Sequence, residues 1–352
     1  MAFLNETRQN FRLAGAINYA ASQQAQLALP RVGYLSKLVI HVTGNMQITP
    51  GTGSAALSSK GPWSLLRRIR YAIGSGTEIF NTSGWGAYNV NRMLKLQFQN
   101  NNGETSPGYE AQIYRAGVAS GANAWDFFII IPLVPNDRDL FGLILLQAEG
   151  VITNLYLDWN SGGGAVTDFP VILTGDATAV FTGRADVWME TFTVPALVQD
   201  QAPLDRVHQV GERVDPISGT GDTTIKLLEE NVYLRVLHSI ELNGALNTVD
   251  VESLRFRYNL TDVPYDYDRQ TKLFMQRYEQ TKDMPLGTYY WDFFNQGYPN
   301  YGGDRDMINA SGLAELESII RIGSGATLGS NNNLVRTITQ QLVQVSSPVL
   351  EG

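Results

Sequence analysis

The sequence predicts an all-β protein made of two similar β-sandwich halves, and three observations carry that prediction. Its 352 residues include 34 Gly, 16 Tyr and 14 Phe, while charged residues make up only 17%, a balance that favours strands and tight turns. Short runs of alternating apolar residues recur along the chain, separated by glycine-rich stretches such as GTGSAALSSKGP, IGSGTE, NNNGETSPG and NSGGGAV, the spacing of a sandwich. Finally, LRRIRY at 66–71 is echoed by SLRFRY at 253–258, so Arg-x-Arg-Tyr is written twice, each time in an alternating setting. In a strand, Arg68 and Arg70 face one side and Ile69 and Tyr71 the other, and Arg255 and Arg257 are set against Phe256 and Tyr258 in the same way.

Taken in order, the elements support two copies. Residues 1–30 place Phe11, Ala14, Ile17 and Ala21 at helical spacing, which predicts a short amphipathic helix and an arm. Strands are expected at 35–43, 65–73, 125–134, 152–159, 169–174 and 187–194. Asn81-Thr82-Ser83 can cap a helix over 84–98, whose apolar stripe is Val90, Met93, Leu94 and Phe98. Residues 196–224 lose periodicity and collect Pro, Gly and charge, which reads as a linker. The order then returns: strands at 232–242 and 251–260, a helix over 268–281, and strands at 285–294, 314–322 and 334–345. The expected division is an arm at 1–30, a first half at 31–195, the linker, a second half at 225–346 and a tail at 347–352.

Composition also excludes function classes. With no Cys there is no disulfide framework, thiol nucleophile or thiolate metal site. The longest apolar run, FFIIIPLV at 127–134, is far too short to cross a bilayer, and MAFLNETRQNFRLAG lacks the basic-then-apolar order of a secretory signal. The net charge of -8 is uneven: residues 1–77 hold eight Lys or Arg against the single acid Glu6, which reads as a solvated or intersubunit face. His41, His208 and His238 have no metal-ligand spacing, no phosphate-binding loop or Gly-x-Ser-x-Gly elbow occurs, and the Asn-x-Ser/Thr sequons at Asn5, Asn81, Asn259 and Asn309 carry little weight without a signal peptide. The acids Asp262, Asp266 and Asp268, and the pair Asp304 and Asp306, are Ca²⁺ candidates by composition but read as polar loop and helix cap, because neither follows a calcium-loop pattern. Neither a catalytic, cofactor nor metal site is expected. A rival reading remains open, a carbohydrate-binding or glycan-hydrolysing sandwich that uses the aromatics at 289–301 with acids such as Asp292, Glu315 or Glu317.

Certain passages, in their serial order, resemble one family: LLRRIRY, the helix opening NTSGWGAYNVNR (81–92), the block WDFFIIIPLVPNDRDLFGLILLQAEGVITNLYLDWN (125–160), and MPLGTYYWDF (284–293) preceded by a helix. They look like the double jelly-roll major capsid proteins of tectivirus-like, internal-membrane tailless phages, the lineage that shares its fold with adenovirus hexon. The resemblance covers most of residues 30–345. It implies two tandem eight-stranded jelly rolls, each with a short helix, and an N-terminal helical arm. It also implies a homotrimeric, pseudo-hexagonal capsomer in an icosahedral shell over an internal membrane. Expected partners are other copies of the chain, minor capsid or vertex proteins, and the membrane, with no specific nucleic-acid binding. Expected location is the virion, after synthesis in the host cytoplasm. By the same resemblance the N-terminal segment lies inside the shell, so Arg8, Phe11 and Arg12 are the residues expected to meet lipid or a neighbouring capsomer.

Overall fold

The computed structural model describes residues 7–74, 77–94, 117–135, 142–147, 152–196, 206–229, 231–259, 261–280, 284–294, 307–329 and 332–344. The chain divides into two units, one of residues 1–91, 97–210 and 344–352, the other of 92–96 and 211–343.

In the first unit the principal strands are β1 (Gln9–Asn18), β2 (Gln24–Ala28), β3 (Tyr34–Thr49), β4 (Leu66–Ile73), β5 (Thr77–Thr82), β6 (Gly121–Pro132), β7 (Thr153–Trp159) and β8 (Thr178–Phe192), with helix α1 (Gly84–Leu94) between β5 and β6. They form two four-stranded antiparallel sheets, ordered β1-β8-β3-β6 and β2-β7-β4-β5. If the strands are lettered B to I along the chain, these orders are B-I-D-G and C-H-E-F, the jelly-roll wiring.

The second half repeats it strand for strand. Here β9 (Arg206–Pro216), β10 (Gly221–Lys226), β11 (Val232–Leu242), β12 (Val251–Tyr258), β13 (Asp262–Asp268), β14 (Thr288–Asp292), β15 (Leu316–Ile322) and β16 (Leu334–Gln344) carry helix α2 (Arg269–Gln280) between β13 and β14. The orders are β9-β16-β11-β14 and β10-β15-β12-β13, so each strand corresponds to the one numbered eight lower. The two Arg-x-Arg-Tyr stretches are therefore β4 and β12, the same strand of two copies.

Local chemistry explains the elements. In β4, Ile69 and Tyr71 are fully buried while Arg68 and Arg70 are partly exposed; in β12, Leu254 and Phe256 are buried and Arg255 and Arg257 partly exposed. Each buried Ile or Phe stabilises the sandwich by roughly 1.5–3 kcal/mol. The outward arginines meet acids on neighbouring strands: Arg70 lies 3.4 Å from Glu78 and 3.8 Å from Asp158, Arg255 lies 2.9 Å from Asp222, and Arg257 pairs with Glu317. The first core is rich in tryptophan, with Trp63 stacked on Tyr88 and Trp125 and Trp159 fully buried. The second centres on Phe256, edge-on to Trp291 and Phe293, with Val236, Ile240, Tyr289 and Ile320 around it.

Two expectations are corrected. Residues 9–18 are a strand, not a helix, paired with β8 over most of its length. The pairing shifts between Leu13 and Gly15, so Phe11 and Leu13 face outward while Gly15 and Ile17 face the core, and this bulge turns a period of two into the apparent helical spacing. Gly15 suits this place, since a Cβ would come within 2.8 Å of the end of the Leu27 side chain of β2, which would have to shift. The expected linker at 196–224 contains β9 and β10, joined by a turn in which Gly221 has φ 99°. The charges that suggested a loop belong to a paired strand: Glu212, 4% exposed at its side chain, lies 3.3 Å from Arg336 of β16. The tail at 347–352, Phe98, Asn5, and Asp304 with Asp306 lie outside the described residues.

Candidate assembly site

The helices α1 and α2 occupy one place in the fold and share one device. Strands β6 and β14 end their sheets, and the unpaired backbone of such an edge invites pairing with another chain. In the first roll the Asn91 amide closes it: its Nδ2 donates to the Ile130 carbonyl at 2.6 Å and its Oδ1 accepts from the Ile130 N–H at 2.7 Å. In the second roll the Oε1 of Gln276 accepts from the Tyr290 N–H at 2.9 Å and its Nε2 donates to the Thr288 carbonyl at 3.4 Å. Asn91 and Gln276 are each the eighth residue of their helix. By strand order and the place of this contact, Ile130 of the first roll corresponds to Tyr290 of the second.

That equivalence exposes an asymmetry. On the outward face of β1-β8-β3-β6, Leu13, Trp188, Val39 and Ile130 stand opposite one another and form an apolar row across all four strands. Leu13 is 49% exposed and Phe11, stacked on Trp188 at 5.6 Å, is 54% exposed. Polar pairs flank the row, the ion pair of Lys37 with Glu190 at 3.1 Å and the hydrogen-bonded pair of His41 with Asp126 at 2.7 Å, His41 also stacking on Phe128 at 4.1 Å. The corresponding row of the second roll, Ile338, Leu237 and Tyr290, is buried throughout. Its surroundings are buried too, including Arg235, held by Asp292 at 3.1 Å, and Glu241, held by Arg336 at 2.9 Å.

The helices reverse the pattern. In α1, Trp85, Tyr88, Asn89, Val90 and Met93 are all buried. In α2, Phe274 is 64% and Tyr278 71% exposed, stacked on each other at 6.3 Å, while Lys272 is drawn inward over the Trp291 ring at 3.7 Å.

The residues singled out from sequence do not gather into one site. Arg8 and Phe11 are exposed at the start of β1, where the Arg8 N–H donates to the Thr193 Oγ1 and the Arg8 carbonyl accepts from the Thr193 N–H; Arg12 points to the opposite side, its Nε and Nη2 enclosed with no hydrogen-bond partner among the described residues. Asp262, Asp266 and Asp268 lie along β13 rather than in a loop, about 13 Å and about 7 Å apart by strand rise, too far to share one ion. Asp268 caps α2 by accepting from the Thr271 N–H and hydroxyl at 3.0 and 2.7 Å, which lowers its carboxyl pKa. Among the described residues no cluster of His, Asp and Glu converges to hold a metal, and no helix is long and apolar enough to cross a membrane.

The groups of the rival reading that lie among the described residues are engaged in structure, while Tyr298 and Tyr301 fall outside them. Tyr289, Tyr290, Trp291, Phe293 and Phe294 are core residues rather than groove walls, Asp292 holds Arg235, and Glu317 holds Arg257. Burial fixes His238 as the neutral ring, with its pKa lowered to about 3, between Thr337 and Ser318 at 3.1 and 2.8 Å. A surface cavity of about 380 Å³, lined by Val249, Asp250, Glu252, Asp268, Arg269 and Gly323, lies beside the start of α2. These arrangements bury, pair and pack; they set no nucleophile against a base.

No family model matches the sequence, and neither does any curated protein. Solved structures match along nearly the whole chain. The major capsid protein of Sulfolobus Turreted Icosahedral Virus aligns with TM-score 0.69 at 12% identity, over 96% of this chain and 97% of that one. This chain has the double jelly-roll fold. The major capsid protein P2 of Bacteriophage PM2 aligns with TM-score 0.55 at 10% identity over 96% and 98% of the two chains, and the Faustovirus major capsid protein with 0.60 at 9% over 97% and 91%. In the double jelly-roll chain described here, both rolls and their order are thus accounted for, although almost none of the sequence is shared.

Proposed function

We propose that the protein is a viral major capsid protein, a non-enzymatic component of the virion shell. The observation that carries this reading is end-to-end likeness, through both rolls, to major capsid proteins of other viruses. Duplication supplies the physical reason: three chains of two similar rolls present six similar edges, so a trimer can occupy a place of six-fold shape in an icosahedral lattice. The shell encloses an internal membrane, is closed at its vertices by minor capsid proteins, and forms after synthesis in the host cytoplasm. Arg8 and Phe11, exposed at the beginning of β1, and Arg12 beside them, are the residues proposed to touch lipid or a neighbouring capsomer. Since β1 and β2 belong to the first roll, only the residues before β1 serve as an arm.

Light scattering and negative-stain imaging of the purified protein test this. A stable particle of three times 38.9 kDa with a six-sided outline is expected. A monomer at every concentration overturns it. A variant lacking residues 1–8 is expected to form the same trimer but no closed shells; shells of normal size from that variant would remove the arm from assembly.

A further inference from the structure

Each roll has two surfaces of the same kind, the outward side of its helix and the outward face of its four-stranded sheet beginning with β1 or β9. In one copy each surface is buried within the chain, and in the other it is exposed. The helix is buried in the first roll, where Asn89 and Met93, two residues before and two after Asn91, occupy the positions that Phe274 and Tyr278 take two before and two after Gln276 in α2. The sheet row is buried in the second roll, as Ile338, Leu237 and Tyr290, and is half open in the first, as Trp188, Val39 and Ile130 with Leu13 beyond them.

We infer that the joint between neighbouring copies of this chain sets the α2 face of one, Phe274 and Tyr278, on the outward Leu13–Trp188–Val39–Ile130 row of the next. The inference rests on the trimeric capsomer reading and specifies how that trimer is held. An aromatic face and an apolar row bury each other's exposed surface. The flanking charges are opposite in sign, because Arg277 is exposed beside Tyr278 and Asp126, 45% exposed at its side chain, stands beside Phe128. Exposed Phe and Tyr stacked at 6.3 Å on a helix are poor solubility residues and good interface anchors. The two surfaces differ, so the joint is heterologous: each chain offers a helix in one direction and a sheet in the other, and such a joint closes into a ring when its rotation divides the circle.

Two double variants test the joint by mass in solution. Phe274→Glu with Tyr278→Glu disables the helix side, and Leu13→Glu with Val39→Glu disables the sheet side; should the second pair unfold the chain, Leu13→Glu alone serves, at a position 49% exposed. Each variant is expected to drop from three copies to one while keeping its melting transition. Mixed one to one, the variants are expected to form a species of two copies and no more, because only one intact helix and one intact sheet face remain to meet. If wild type is trimeric and either variant stays trimeric, or if the mixture stays monomeric, the joint is elsewhere and the inference fails while the capsomer reading survives. If wild type is monomeric throughout, the capsomer reading fails first.

Discussion

Replacing Asn91 by Ala should open the free edge of β6. The wild-type amide makes two short hydrogen bonds to a single residue, Ile130, at 2.6 and 2.7 Å, and Asn91 is only 2% exposed, so water does not replace it readily. Two such bonds contribute about 1–3 kcal/mol net, and leaving the Ile130 N–H and C=O partly buried without partners adds a further about 1–2 kcal/mol. A loss of about 2–5 kcal/mol follows, or roughly 5–15 °C in melting temperature at about 2–4 °C per kcal/mol for a unit of this size. Calorimetry measures the total, and hydrogen exchange of the Ile130 amide locates it. Asn91→Asp sharpens the test: its carboxylate still accepts from the Ile130 N–H, so that amide stays protected, but no donor faces the carbonyl and stability falls. Gln276→Ala should cost less, because its second bond is 3.4 Å long and the Tyr290 hydroxyl still donates to the backbone carbonyl of residue 276 at 3.0 Å. A transition within about 1 °C of wild type, with the Ile130 amide still protected in Asn91→Ala, would refute the clamp.

Other consequences can be checked by denaturation. Ile69→Asp and Phe256→Asp each place an unpaired carboxylate in a core where the native residue is fully buried, and each should lose more than about 4 kcal/mol in urea titrations; wild-type melting in either would overturn the assignment of strand faces. Asp292→Ala strands the buried Arg235 guanidinium and should cost about 3–5 kcal/mol, whereas Arg235→Met with Asp292→Leu should cost clearly less; equal losses would mean that the pair is not what matters. His238, held neutral by burial and then by the charges of Lys272 and Arg213, has a folded pKa of about 3 against 6.5 in its ordinary state. Its contribution is complete above about pH 6.5 and is lost as pH falls from there towards 3, because the unfolded chain takes up a proton that the folded one refuses. His238→Gln should therefore shrink the stability difference between pH 7 and pH 4.5 by about 2–3 kcal/mol, and an unchanged difference would refute the burial argument.

How much of this was legible beforehand depended on where each strand sits in its roll. The central strands β3, β4, β7, β11, β12 and β15 read plainly, because two neighbours and a core face enforce the alternation. The same three strands were missed in both copies, β1 with β9, β2 with β10 and β5 with β13. Those at sheet ends, and those whose inward residues are glycine or paired charge, write little apolar period: Gly15 makes room for Leu27, and Glu212 is buried through Arg336. Both helices were legible from caps and stripes. The clamp was not, since Asn91 and Gln276 look like ordinary polar helix residues until the edge strand 39 or 14 positions later is known to lie beside them. Nor was the assembly row, because Leu13, Val39, Ile130 and Trp188 become neighbours only through strand register. Serial order of motifs foretold the fold; of the residues chosen by position near the terminus, Phe11 and Arg12 lie within β1 and Arg8 just before it.

The pairing of β1 with β8 also bears on synthesis. Gln9 finds its partner in Phe192, so the first strand of this roll to leave the ribosome is matched by the last. At about 5–20 residues per second, some 180 residues of further translation take roughly 10–40 s. For that interval Phe11 and Leu13 travel on an unmatched ribbon, exposed by the order of translation rather than by any weakness of the finished fold.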